Sequence, residues 1–163
     1  MGRLLAFILG VAGALIASQG PGFTLQYMQN VQGRVDELTT IVEAQEEDLR
    51  DKNYTRETAM NECRTATDLL DAFCSNYRMA VERLEYLSVH LAELEGATDY
   101  VRPLILARSY DRDIALSVKE QFEPAVPATL HGAVYAGGGF AVAWGIPLII
   151  FSILGGMFGG GRR

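Results

Sequence analysis

From Gly132 through Phe158 the chain runs for 27 residues without a charged side chain. A helix needs only about 20 mostly apolar residues to cross the roughly 30 Å hydrocarbon core of a bilayer. The stretch therefore predicts a transmembrane helix. Gly132, Gly137 to Gly139, Gly145 and Pro147 would weaken such a helix in water, but membrane helices tolerate these residues where neighbours satisfy the freed backbone groups. Tyr135 and Trp144 supply rings suited to a membrane interface.

At the other end, Leu4 to Ala17 is an apolar run of fourteen residues behind one positive charge, Arg3, a pattern that signal peptides share. A cleavage site is poorly specified. Ala12 and Ala14 leave a very short apolar run before them, a site ending at Ala17 puts Leu15 where a small residue belongs, and one ending at Gly20 is followed by Pro21. Retention is the favoured reading, because Ala6, Gly10, Ala14 and Ser18 fall every four residues and form one small-residue ridge of the kind that lets membrane helices approach. Gly137, Ala141 and Gly145 suggest a matching ridge in the C-terminal span. The N-terminal helix gains length if it continues through Phe23 to Met28, with Gly20 and Pro21 marking a kink. The expected division is 1–28 as an N-terminal membrane segment, 29–127 as a charged helical region, and 128–163 as a C-terminal transmembrane helix with its tail.

All twenty acidic residues and eleven of the fourteen basic ones lie between Asn30 and Glu123, which gives this region a charge of −9. No cluster of Lys and Arg is present to neutralise phosphates, which argues against a nucleic-acid partner. The apolar periodicity of the region is helical. Val31, Val35, Leu38, Val42 and Leu49 mark one amphipathic helix, interrupted at Gln45 and ending near Asp51, Lys52 and Asn53; Asn53, Thr55 and Thr58 offer caps for the next. The best stripe follows: Met60, Cys63, Thr67, Leu70, Cys74, Tyr77, Val81, Leu84, Ser88 and Leu91, widened on one flank by Ala66, Phe73, Ala80, Leu87 and Leu94. A stripe this wide suits packing against two neighbours rather than one coiled-coil seam. Ser75 and Asn76 permit a break. Beyond Gly96, Asp99 is placed to cap a turn through Pro103, Leu104 and Leu106, and a last helix is expected from Asp111 to Phe122. The fold class is all-α, with two transmembrane helices flanking a helical hairpin or antiparallel bundle.

No catalytic, cofactor-binding or metal site is assigned, and no cofactor is expected. His90 and His131 lack the paired spacing of a helical zinc site. His90 reads as a surface or seam residue, His131 as an interfacial polar residue. Cys63 and Cys74, eleven positions apart, would stand ~16 Å apart along an unbroken helix. A disulfide needs Cα atoms within ~7 Å, so they are expected to be buried small side chains rather than a pair, with a bond to a second copy as the other option. Glu43, Glu46, Glu47, Asp48 and Asp51 read as a solvated face. The run from Gly155 to Gly161 lacks the Lys-Ser or Lys-Thr of a phosphate loop.

Phe122, Glu123, Pro124, Ala125, Val126, Pro127, Ala128 and Thr129, then Gly132, Gly139, Phe140 and Trp144, resemble a family of bacterial inner-membrane proteins known only as a domain of unknown function. Gly10 to Gln19, with Gln26, Tyr27, Val35, Asp36, Glu37 and Leu38, is similar to the same family. The resemblance implies two membrane spans around a helical region and carries no activity, substrate or functional residue.

The expectation is a non-enzymatic membrane protein acting by helix association, as an accessory, scaffolding or assembly component of an inner-membrane complex. An oligomeric pore or transport component is the alternative, disfavoured because neither span carries an ionisable residue in its middle. The expected partners are the lipid bilayer and either further copies of the chain or another membrane protein. Arg3, Arg162 and Arg163 flank the spans, which predicts cytoplasmic ends and a periplasmic central region; Arg34, on the other flank, reduces the bias.

Overall fold

The computed structural model describes residues 2–124 and 129–159; Ala125 to Ala128, Arg162 and Arg163 lie outside the described residues. The described residues form seven helices: α1 (Gly2–Ser18), α2 (Gly20–Arg50), α3 (Arg56–Cys63), α4 (Asp68–Gly96), α5 (Arg102–Arg108), α6 (Arg112–Gln121) and α7 (Leu130–Gly159). No strand occurs among the described residues. The all-α reading is correct, and two helical stretches, Gly2–Arg50 and Leu130–Ile150, are long and apolar enough to cross a membrane. The chain divides into two compact units, residues 1–26 with 98–163, and residues 27–97.

In the first unit α1 packs antiparallel against α7. Phe7 meets Phe140 edge to face, with ring centres 5.9 Å apart, while Gly20 lies opposite Tyr135. Between them the backbones nearly touch. A methyl group on Gly139 would stand 2.5 Å from the Gly13 carbonyl oxygen and equally close to Ala17 Cβ, and one on Gly10 would meet Phe140 and Trp144 at 2.9 Å. The α1 ridge is confirmed at Ala6, Gly10 and Ser18, which are buried. On α7 the ridge is displaced: Gly137 and Gly145 face open space, and the contact line runs through Gly139, Phe140, Ala143 and Trp144. A helix that is apolar all round carries no moment to say which face is inward. The kink expected at Gly20 and Pro21 coincides with the boundary between α1 and α2. Pro21 has no N–H to continue the ladder, and bonding resumes from Phe23 N–H to the Gln19 carbonyl at 2.9 Å.

The second unit is a helical hairpin. Its α2 ends by local chemistry: Asn53 takes a left-handed φ of 63°, Tyr54 N–H reaches the Leu49 carbonyl and Asn53 N–H that of Arg50, both at 2.9 Å. This is a Schellman stop. Thr55 and Thr58 then form a reciprocal capping box at the start of α3. The return helix α4 runs antiparallel to α2, with Tyr27 opposite His90 and Glu46 opposite Tyr77. Val42, Ala59, Tyr77 and Val81 form the core, with Leu49, Met60, Ala80 and Leu84 packed around it. The Gln45 side-chain oxygen, where the α2 stripe was interrupted, is buried without a partner.

A further expectation is overturned. The stripe from Met60 to Leu91 is not one helix, because the chain turns between Arg64 and Thr67, and Asp68 enters α4 with a φ of 55°. Cys63 closes α3, Cys74 lies on α4, and the turn brings their Cα atoms to 5.2 Å, where they form a disulfide. Leu70 and Phe73, placed in the stripe by spacing, are 60% and 66% exposed.

Candidate functional site

The outward surface of the α1/α7 pair is apolar. Leu4, Leu5, Ile8, Leu15 and Ile16 on α1 are exposed, as are Val142, Ile146, Ile149 and Ile150 on α7. Exposed apolar side chains scattered singly need no explanation, whereas a helix pair clothed in them is what a pair crossing a membrane would present.

A polar and aromatic cluster closes one end of this pair. His131, in the first turn of α7, sets its Nε2 3.4 Å from Asp99, which also pairs with Arg102 on α5. The Tyr100 ring stands edge-on to His131 at 4.6 Å, and the Tyr135 hydroxyl donates to the Tyr100 carbonyl at 2.6 Å. Asp99 thus does not cap α5; its carboxylate ties two helices together instead, and α5 has no side-chain cap. The helix expected from Asp111 does start there, and Asp111 caps α6 by accepting from Ile114 N–H at 3.1 Å.

Within the hairpin, His90 is a seam residue, 4% exposed, and shares a 3.0 Å hydrogen bond with the buried Tyr27 hydroxyl. The Tyr86 ring lies parallel to it and carries the Arg83 guanidinium over its face. Sequence spacing gave no hint of the Tyr27–His90 pairing, because 63 positions separate the two. Glu46 is more than a solvated face residue: it accepts from Arg56 and from Tyr77, and Arg56 also approaches Glu85 at 3.7 Å. Burial, then the charge of Glu46, pushes the Tyr77 phenol above its ordinary pKa, and the hydrogen bond to Glu46 raises that of Arg56. On the flank of α4 a shallow groove is lined by Leu38, Met79, Ala80, Glu82, Arg83 and Tyr86. Among the described residues no three His, Cys, Asp or Glu side chains gather as metal donors.

Fold and surface together define an all-α protein in which two helical stretches of membrane-spanning length flank, along the sequence, a charged helical region. The chain belongs to the family described as a protein of unknown function (DUF2937), whose model matches residues 1–159. No curated protein and no solved structure matches it.

Proposed function

We propose that this is a non-enzymatic integral membrane protein of the bacterial inner membrane that acts by helix association, as an accessory, scaffolding or assembly component. The observation that carries this reading is the α1/α7 pair, sealed by close glycine contact inside and apolar outside. Both spans cross the bilayer, and the hairpin stands in the periplasm. The Cys63–Cys74 disulfide supports that side, since such bonds persist in oxidising compartments. Partner binding falls to the hairpin, whose α4 leaves Leu70, Phe73, Met79 and Val89 uncovered. Crosslinking in native membranes from the α4 surface, followed by purification in mild detergent, tests the reading. Adducts to one defined protein or to a second copy are expected; isolated monomers with no crosslinked species would reject it.

A further inference from the structure

Helix α5 is apolar on two sides. Leu106 is buried, yet Val101, Leu104 and Arg108 share the opposite face and are exposed, Leu104 at 54%. A helix apolar on both sides needs a second apolar environment. By contrast, the exposed face of the neighbouring α6 carries Arg112, Asp113, Lys119 and Glu120 around Leu116, a composition suited to water.

The position of α5 identifies that environment. Its approach is tied to the first turns of α7 by Asp99–His131 and by Tyr135 to the Tyr100 carbonyl. Pro103 lies beside Gly20, just past the end of α1, at the distance of ordinary contact with a methyl placed there. The end of α1 and the start of α7 therefore both lie beside α5. Leu130 and Val134, flanking the bonded residues on α7, are themselves exposed. Tyr100 and Tyr110, the aromatic type that favours membrane interfaces, bracket α5 and are exposed too.

We propose that the outward face of α5 rests on the lipid headgroup region, with Val101 and Leu104 dipping towards the acyl chains and Arg108 reaching back to the phosphates. This rests on the reading that α1 and α7 cross the bilayer. It makes α5 an interfacial foot that fixes the depth of the spans.

The test is tryptophan fluorescence of the full chain in phosphatidylcholine vesicles carrying bromines either near the glycerol end or near the chain ends of the lipid. Leu104→Trp is placed in a Trp144→Phe background, and Val101→Trp supplies an independent reporter on the same face. Blue-shifted emission, quenched more by the shallow bromines than by the deep ones, is expected for both. Red-shifted, unquenched emission would overturn the proposal. So would blue-shifted emission that lipid bromines fail to quench, the signature of a protein partner or second copy, or stronger quenching by the deep bromines. The unmodified chain separates the two readings: loss of Trp144 quenching by every brominated lipid rejects the spans themselves, whereas quenched Trp144 with an unquenched position 104 rejects only the foot.

Discussion

The helix pair α1/α7 and the hairpin α2/α4 are both antiparallel, but they are built from opposite materials. In the pair, Gly13 and Gly139 bring the backbones together and large apolar side chains point outward. In the hairpin, Tyr77, Val81, Leu87 and Leu94 fill the inside while acidic residues clothe the outside. The difference is the one expected if lipid surrounds the pair, as proposed, and water surrounds the hairpin. Lipid tails are as apolar as leucine, so burying leucine between membrane helices gains little, and close van der Waals packing has to hold the pair. In water the gain comes from removing apolar surface, so the large side chains go inside.

The sharpest way to break that contrast is to charge the hairpin core. Val81 is 2% exposed, so Val81→Asp leaves a carboxylate without a partner and should cost about 3–5 kcal/mol. Glu47→Lys, on the exposed face, should change little. Thermal unfolding of the full chain in detergent measures both, and equal midpoints would reject the core assigned to α2 and α4.

Next in size is the covalent clip, which only the hairpin has. An eleven-residue separation predicts a loss of about 2–3 kcal/mol when Cys63 and Cys74 are both changed to serine, by the chain-entropy argument. Reductant should lower the denaturant midpoint of the wild type and leave the double variant unmoved. A midpoint indifferent to reductant in both proteins would show that the bond does not form.

The pair is tested with glycines. Gly139→Leu forces a side chain into the Gly13 carbonyl and Ala17, an overpacking that should cost about 1–3 kcal/mol. Gly137→Leu, where a Cβ meets nothing within 4 Å, should be tolerated. The reverse ranking in detergent melts would restore the ridge through Gly137, Ala141 and Gly145 that spacing suggests.

These cases also show what a sequence yields. Local chemistry was legible: the stop at Asn53, the cap at Thr55, the end near Gly96 and the start at Asp111 each depend on residues within one turn. The break after Cys63 was not, because Thr67 and Leu70 continue the three-four spacing across it and the turn shows only in backbone angles. The inward face of α7 was hidden for a different reason, since its residues are apolar on every side. Long-range polar pairs such as Asp99–His131 and Tyr27–His90 join parts of the chain that periodicity treats separately.

The smallest effect sharpens the contrast electrostatically. Tyr77 donates to Glu46 inside the hairpin, and burial followed by the Glu46 charge raises its pKa, with Arg56 partly opposing. A phenol whose folded pKa exceeds its unfolded value of about 10 adds stability that is fully present below that pH. That stability is lost as the pH rises through the folded value, because a tyrosinate would then share the site with Glu46. The wild type should therefore weaken relative to Tyr77→Phe as the pH climbs past about 10, and the other six tyrosines cancel in the comparison. Denaturant midpoints of the two proteins across an alkaline series provide the measurement. A gap between them that stays constant with pH would show that Tyr77 titrates as though exposed, and that the hairpin interior is wetter there than its packing indicates.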